Sequence, residues 1–200
     1  MRCRCREILQ QTKGIPSTVK VSTNPFLFSL FTKEEMFMTN TYQITMATEA
    51  DASAILSLYK AQIGREFCAW DEDYPSAQTI DFDLSRDALF VLKIEGQIKA
   101  TISLEVDEAV DTLPCWDPSI TPVGELARLA VSPEVQNQGL GRVMLQFGMD
   151  ELARRGFRGI HILVNKHNLK AIRSYGVFGF RVAGECHMYE QDFLCYEKEF

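Results

Sequence analysis

The chain has 200 residues, of which 46% are hydrophobic and 24% are charged, and these proportions are ordinary for one globular domain with its own core. Its formal net charge of −6 gives no electrostatic basis for binding nucleic acid, and no apolar run approaches the roughly 20 residues needed to cross a bilayer. We therefore expect no nucleic-acid or membrane partner, and the acidic balance mildly favours a cationic substrate.

The six cysteines are scattered along the chain without a C-x-x-C pair. Cys3 and Cys5 are too close together for ordinary zinc spacing, and none of the three histidines clusters with a cysteine. The sequence thus predicts free, mostly buried thiols, a reducing cytoplasmic location and no metal site.

Residues 1–38 differ from the remainder because they are basic at the start and follow no regular pattern. A secretory signal would have an apolar centre of about 7–15 residues before a cleavage site with small residues, and this segment lacks that order. We interpret residues 1–38 as an extension that the domain can lose, so that the domain itself spans residues 39–200.

Regular patterning begins with residues 41–48, whose β-branched and alternating side chains predict a short strand. Residues 48–51 resemble a capping box and predict a first helix that ends near Gly64. Ser76 is predicted to cap a second helix that ends near Ser85.

A hairpin is predicted over residues 88–106, where two β-rich runs flank Glu95 and Gly96. The glycine supplies the positive φ that a tight turn requires. A loop punctuated by prolines follows over residues 107–123, and the apolar run at residues 125–131 then predicts a central strand.

Residues 136–141, QNQGLG, lead from that strand into a helix predicted to end near Arg155. Two glycines one residue apart let the backbone approach a ligand closely, and the helix dipole adds about half a positive charge there, so the loop predicts a phosphate or pyrophosphate site. It is not a Rossmann fingerprint, which would have glycine in place of Met144, nor a P-loop, which would have Lys and Ser or Thr after Gly141.

The last part of the chain begins with the strongly apolar residues 160–164, which predict a parallel strand buried on both faces. Asn168 is predicted to cap a final helix, and Gly179 to end it. Two strands, over residues 180–185 and 191–198, complete the predicted elements.

Four local signals together resemble the GNAT superfamily of N-acetyltransferases over nearly all of residues 40–200. They are the run ELARLAV, the Q-x-x-G-x-G loop, the strand IHILV, and the spacing N-x-x-A-x-x-x-Y-x-x-x-G-F that begins at Asn168. The resemblance implies an α/β (α+β) fold, with a mixed, mostly antiparallel central sheet of about seven strands flanked by about four helices. It also implies transfer of an acetyl group from acetyl-coenzyme A (acetyl-CoA) to a primary amine of a small molecule or peptide, by direct attack in a ternary complex without a metal.

The resemblance also assigns a cofactor site. Backbone groups at the end of the central strand would bind the pantetheine arm, and the amides of residues 138–142 would bind the pyrophosphate, with added charge from the Arg142 side chain. The cofactor-binding candidates are Leu129, Ala130, Val131, Gln136, Asn137, Gln138, Gly139, Leu140, Gly141, Arg142, Asn168 and Tyr175.

Two catalytic residues follow from the same resemblance. Tyr175 corresponds to the usual general acid of the family, which protonates the coenzyme A sulfur; the alternative is a helix tyrosine packed on the sheet. Glu125 is the candidate general base, and the alternative is a carboxylate that merely lies near the start of a strand. His161, His167 and His187 show no obvious partner and are expected to be structural or exposed.

Trp70, Asp71 and Tyr74 are candidates for the acceptor pocket, in a loop that could equally be solvated and anchored by its aromatic residues. Three other functions remain open: an acyl-CoA-binding sensor without catalysis, an acyltransferase with a longer acyl donor or a hydroxyl acceptor, and a structural module that binds neither ligand. The resemblance is compatible with a homodimer, which nothing in the sequence establishes.

Overall fold

A computed structural model describes residues 42–200 and the backbone of Thr18 and Val19. The prediction for residues 1–38 therefore lies outside the described residues, except for that one pair. The strands are β1 (Thr18–Val19), β2 (Tyr42–Met46), β3 (Leu89–Ile94), β4 (Gln97–Glu105), β5 (Val123–Val131), β6 (Gly159–Asn165), β7 (Arg181–Met188) and β8 (Gln191–Glu199). The α-helices are α1 (Ala52–Lys60), α2 (Ala77–Leu84), α3 (Glu108–Asp111), α4 (Leu140–Arg154) and α5 (Leu169–Val177).

All eight strands belong to one sheet, in the order β1-β2-β3-β4-β5-β6-β8-β7. Neighbouring strands are antiparallel except for β5 and β6, so the sheet is mixed and mostly antiparallel, as predicted. The parallel pairing covers three residue pairs and ends where Glu125 lies opposite His161. Beyond this point β6 stays paired with β8 as far as Asn165, while β5 stays paired with β4, so the sheet divides and one edge of β5 is left without a strand partner.

A β-bulge lies in β5 at the place where the sheet divides. Between the pairs Ser103–Ala127 and Thr101–Ala130, β5 contains one residue more than β4. Arg128 takes up the extra residue with a φ of +49°, which is the left-handed region that a branched or long side chain seldom occupies. Bulges bend a strand and re-aim its side chains, and this one lies on the cleft described below.

Helices cover both faces of the sheet, and the alternation along β3 shows which residues each face buries. Phe90 and Leu92 pack in the cluster that contains α4, whereas Leu89 and Val91 pack with α1 and α2. Gly148 lets α4 approach the sheet closely, because a Cβ atom there would lie 2.7 Å from Cδ2 of Leu126. The result is a sheet between two helical layers.

Side-chain caps begin the helices where the sequence predicted them. The Ser76 hydroxyl accepts from the amide of Thr79 at 3.4 Å, and Asn168 Oδ1 accepts from the amide of Ala171 at 3.0 Å. The N–H of Thr48 donates to the Asp51 carboxylate at 3.0 Å, as in the predicted capping box, which begins the 3-10 helix Glu49–Asp51 that precedes α1.

Two element predictions need correction. The first helix ends at Lys60 rather than near Gly64, because the amides of Gln62 and Ile63 donate three residues back and tighten the chain into turns. The loop after β4 contains the short helix α3, which Asp107 caps by accepting from the amide of Ala109 at 2.8 Å.

The four cysteines within the described residues are all free; Cys195 is buried, whereas Cys68, Cys115 and Cys186 are only half-buried. The predicted burial therefore holds for one of these thiols. None of the helices described is long and apolar enough to cross a membrane.

Candidate active site

A large cleft opens where β5 and β6 separate, with a volume of about 1740 Å³. Its walls come from the open edge of β5, the end of β6, the loop before α4, helix α5 and the loop between α1 and α2. The predicted site residues that line it are Trp70, Asp71, Tyr74, Glu125, Leu129, Ala130, Val131, Gln136, Asn137, Gln138, Gly139, Gly141, Arg142, Asn168 and Tyr175. Leu140 is the exception, because its side chain is buried in the core against α4 and the sheet.

The loop before α4 presents a row of free backbone donors. Gly139 has a φ of +84° and forms the N-terminal cap of the helix. Its carbonyl oxygen accepts from the amides of Arg142 and Val143, at 3.0 and 3.1 Å. Within residues 42–200, the N–H groups of residues 137–141 donate to no protein acceptor. The free amides thus differ from the predicted set 138–142 at both ends. The Asn137 amide is free, whereas the Arg142 amide donates to the Gly139 carbonyl.

Gln136 holds this loop against the end of β5. Its Nε2 donates to the Val131 carbonyl at 3.0 Å and to Gln62 Oε1 at 3.3 Å, while its Oε1 accepts from Arg65 Nη2 at 3.1 Å. All the contacts of this amide are therefore with the protein, and they position the loop. The Val131 carbonyl also accepts from Gln62 Nε2, at 3.3 Å, and so is already satisfied.

Cationic side chains surround the loop end of the cleft. Arg142 follows the free amides, Arg65 reaches the loop through Gln136, and Lys170 and Arg173 extend from α5. Together with the N-terminus of α4, these charges favour a ligand that carries several phosphate groups. Lys170 and Arg173 lie in the first two turns after the Asn168 cap, but neither belongs to the sequence motif.

Glu125 lies at the opposite end, at the last residue of β5 that pairs with β6. The residue is only 9% exposed, and its Oε2 has no hydrogen-bond partner among the described residues. Burial, together with the negative charges of Asp107 and Asp111, raises the pKa of this carboxyl to about 8. A carboxylate of such pKa is suited to accept a proton near neutral pH, as a general base must.

Two further carboxylates adjoin Glu125, which the sequence did not predict. Oxygen atoms of Glu105, Asp107 and Glu125 all lie within 4.8 Å of one another, a spacing that suits a cation. Glu105 ends β4 and Asp107 caps α3, so the fold brings them to Glu125 from a segment about twenty residues earlier.

Tyr175 is buried on α5 and lines the cleft. Its ring packs edge-on to Phe180, with the ring centroids 5.6 Å apart. Burial and the nearby Glu125 charge raise the pKa of the phenol above its usual value, so the hydroxyl keeps its proton at neutral pH. At neutral pH the hydroxyl is therefore available as a proton donor and not as a base.

Arg128, in the β5 bulge, organises the predicted acceptor end. Its Nε and Nη2 donate to the two oxygens of the buried Asp83, both at 2.9 Å, and its Nη2 also contacts Glu105. Its Nη1 donates to the hydroxyl of Tyr74 at 3.0 Å, which fixes that ring beside the cleft. Arg128 was not predicted, although a lone arginine within the apolar run ELARLAV is a signal of a buried, paired charge.

The loop that carries Trp70 and Asp71 is anchored by Trp70, while residues 71–74 are exposed. Trp70 packs edge-on to Tyr59 with ring centroids 5.3 Å apart, and Asp71 Oδ1 accepts from the amides of Asp73 and Tyr74 at 2.9 Å. The tip of the β7–β8 hairpin meets this end of the cleft, since the Tyr189 hydroxyl donates to Asp107 Oδ2 at 3.2 Å.

His161 has partners that the sequence does not reveal. Its ring nitrogens lie 3.3 Å from Asp111 and 3.2 Å from Glu197, and Trp116 stacks on the ring at a centroid distance of 3.9 Å. The residue is buried and does not line the cleft. His187 contacts Asp192 at 2.9 Å on the exposed face of the hairpin.

Comparison with known proteins gives a family match over the part of the chain that forms this cleft. The model of the acetyltransferase (GNAT) family matches residues 55–180. A mycothiol acetyltransferase of Kytococcus sedentarius is 42% identical over 62 residues, which are 31% of this chain and 21% of that protein. The [ribosomal protein bS18]-alanine N-acetyltransferase of Escherichia coli is 41% identical over 58 residues, 29% of this chain and 39% of that enzyme. The matches thus span well under half the length of these curated relatives.

Solved structures share the fold at lower identity. The crystal structure of the Escherichia coli ribosomal-protein-S18-alanine N-acetyltransferase has a TM-score of 0.61 at 22% identity, over 79% of this chain and 93% of that one. The PaiA N-acetyltransferase of Thermoplasma acidophilum, in complex with coenzyme A, has a TM-score of 0.62 at 16% identity, over 80% and 99% of the two chains. At these identities the likeness establishes the fold.

Proposed function

This chain belongs to the acetyltransferase (GNAT) family, and on that premise we propose that it is an enzyme that transfers the acetyl group of acetyl-CoA to a primary amine. The predicted family and fold are confirmed by the match over residues 55–180 and by the shared architecture. We assign the enzyme domain to residues 39–200, which contain the whole of that match. The names of the relatives include a small molecule, mycothiol, and a ribosomal protein, so small-molecule and peptide amines are both retained as acceptors.

The observation that carries the proposal is the row of free N–H groups at residues 137–141, at the N-terminus of α4 and beside the open edge of β5. The first N–H groups of a helix have no acceptor within the helix, and here they lie in the wall of the cleft, so they are available to a ligand with acceptor oxygens. A diphosphate supplies several acceptor oxygens, and the Arg142 and Lys170 side chains add positive charge. Coenzyme A fits this donor set.

The remainder of the coenzyme would lie along the divided sheet. The open edge of β5, which includes Leu129 and Ala130, offers backbone groups to the amides of a pantetheine arm, much as a neighbouring strand would. When bound, acetyl-CoA supplies an activated acetyl group as a thioester.

The residues at the acceptor end of the cleft would transfer the protons. An amine must lose a proton before it can attack, and the unpartnered Oε2 of Glu125 would accept that proton. The leaving sulfur gains a proton, and the Tyr175 hydroxyl, which stays protonated in the buried environment, would donate it. Trp70, Asp71 and Tyr74 would contact the acceptor, since they line the cleft beside Arg128 and Glu105.

The proposal also covers the cellular location and the oligomeric state of the enzyme. The free cysteines support a reducing cytoplasmic location. A homodimer stays a prediction that rests on the family alone.

Calorimetry with acetyl-CoA and thiol release across a panel of primary amines test the proposal together. We expect saturable binding of acetyl-CoA, and release of coenzyme A only when an amine is present. Absence of acetyl-CoA binding would refute the assignment. Binding of acetyl-CoA without thiol release for any amine or alcohol would indicate a sensor. Faster turnover with a longer acyl-CoA would identify that compound, rather than acetyl-CoA, as the donor.

A further inference from the structure

The three carboxylates at the acceptor end differ in how their charge is compensated. Glu105 contacts Arg128 Nη2, and Arg86 Nη2 lies 3.4 Å from the same Glu105 oxygen. The same two guanidinium groups contact both oxygens of Asp83. Within residues 42–200, these two arginines thus form ion pairs with Asp83 and Glu105, and with neither Asp107 nor Glu125.

Asp107 and Glu125 are the uncompensated members. Asp107 accepts hydrogen bonds from the amide of Ala109 and the hydroxyl of Tyr189, both neutral donors, and it forms no ion pair within residues 42–200. Glu125 Oε2 is buried without any partner among the same residues. Asp111, the other nearby carboxylate, is turned toward His161 at 3.3 Å.

Ionisation of Glu125 is costly without a ligand, because its Oε2 is buried without a hydrogen bond and the Asp107 carboxylate lies close by. A ligand ammonium beside Asp107 and Glu125 would relieve the repulsion and satisfy the free oxygen. A ligand carboxylate at the same place would instead add a third like charge. The cluster therefore distinguishes between amines by the group attached next to the nitrogen.

We infer that the acceptor carries its primary amine without an adjacent carboxylate, as an alkylamine or the α-amine of an amide or peptide does, and that Asp107 enforces this choice. Free α-amino acids are excluded because their carboxylate, two bonds from the nitrogen, would face the Glu105, Asp107 and Glu125 cluster. This inference rests on the proposed function and specifies its substrate class. It makes Asp107 a specificity-determining residue, whereas Glu125 takes the proton.

A divalent metal ion is the other ligand that three close carboxylates suit. It fits less well, because one oxygen of Glu105 is already held by Arg128 and Arg86, whose positive charges would oppose a metal ion. The test below includes this outcome.

The experiment compares amino-acid amides with the corresponding free amino acids, for alanine and for phenylalanine, so that each pair differs only in the carboxylate. The measured quantities are kcat/KM from thiol release and Kd from calorimetry with the coenzyme A-loaded protein. We expect the amide to be favoured by at least about tenfold, after correction for the neutral fraction of each amine.

Asp107→Asn should reduce this preference by about tenfold, mainly through KM, and should leave the Kd of acetyl-CoA unchanged. Asparagine caps a helix as well as aspartate does, so α3 should persist. Glu108→Gln is the matched control, because Glu108 is the exposed next residue and does not line the cleft. It should keep the wild-type preference. If the Asp107 variant does not fold, the wild-type comparison decides alone.

Equal use of acid and amide, or an unchanged preference in Asp107→Asn, would overturn the inference while leaving the proposed acetyl transfer intact. If no acceptor releases thiol, the proposed function fails, and the binding arm still decides whether the site prefers the amide; binding of neither compound would refute the inference. Binding of Mg²⁺ at millimolar concentration, with loss of the preference, would show a metal site instead.

Discussion

Arg128 and Asp83 form a two-point ion pair, with Nε–Oδ2 and Nη2–Oδ1 distances of 2.9 Å, between the bulge of β5 and helix α2. Ser103 Oγ donates to the same Asp83 carboxylate at 2.6 Å, and the Asp83 side chain is fully buried. The pair therefore ties the bulged strand to the helical layer beside the cleft.

Removing both partners of this pair should cost less than the sum of the costs of removing each one alone. We expect Asp83→Ala to lower the free energy of unfolding by roughly 3–5 kcal/mol, because it leaves a buried guanidinium short of a counter-charge. Asp83→Ala combined with Arg128→Met should cost less than the sum of the two single changes. Urea unfolding measures all three variants, and strict additivity would contradict the coupling.

The Glu125 carboxyl should determine the pH dependence of turnover. Its pKa of about 8 predicts that kcat/KM rises through pH 7 to 8 as the base ionises. Glu125→Gln should lower kcat/KM by roughly 10²-fold or more and remove this inflection, leaving only the ionisation of the acceptor amine. A pH–rate profile of both proteins checks this, and an inflection that persists in the variant would exclude Glu125 as the base.

The same group makes a prediction for stability. Its pKa is higher in the folded protein, about 8, than the ordinary value of 4.5, so between these pH values the folded state binds more protons than the unfolded state. Stability should therefore fall as pH rises from about 5 to 8. Glu125→Gln should show a flatter dependence in denaturant titrations at several pH values. An equal decline in stability with pH in both proteins would show that a group other than Glu125 causes it.

Tyr175→Phe should lower kcat by about 10²-fold while leaving the Kd of acetyl-CoA within about twofold. The reason is that the phenyl ring keeps the packing against Phe180, and only the proton donor is lost. Tyr42→Phe is the control, since Tyr42 lies on β2 and does not line the cleft. Single-turnover thiol release measures the effect. Unchanged turnover at every pH would remove Tyr175 from the proposed chemistry.

Gly148 and Gly176 offer a matched pair for the packing of helices. A Cβ at Gly148 would lie 2.7 Å from Leu126 and 3.2 Å from Ile102, so Gly148→Ala should destabilise by about 1–3 kcal/mol. Nothing lies within 4 Å of a Cβ at Gly176, so Gly176→Ala should stabilise by up to about 1 kcal/mol through helix propensity. Thermal unfolding compares them, and a neutral Gly148→Ala would indicate a looser α4–sheet contact.

The sequence predicted the features that depend on interactions between residues close together in the chain. Ser76 and Asn168 cap their helices through amides three residues away, and the turn at Glu95 and Gly96 needs positive φ at both residues, as the structure has. Gly139 likewise begins α4 with the conformation that glycine favours. These features depend on neighbours that are adjacent in the chain, so a pattern reveals them.

Contacts between residues far apart in the chain could not be predicted in the same way. The pKa of Glu125 depends on Asp107 and Asp111, which the fold brings to it through helix α3, and the chain shows only a proline-rich loop there. The insertion of β8 between β6 and β7 and the bulge at Arg128 are also set by tertiary packing. For this reason the sequence predicts Glu125 as a site residue but not the two carboxylates beside it.

The division between β5 and β6 also determines how the molecule can adapt. Beyond Glu125 no strand pairing joins the two walls of the cleft, so they can move apart without breaking a ladder hydrogen bond. The distance between the walls is then governed by the side chains that fill the space between them, such as Leu129 and Val164. The length of acyl chain that the protein tolerates should accordingly change by substitution at those positions, while the backbone framework stays the same.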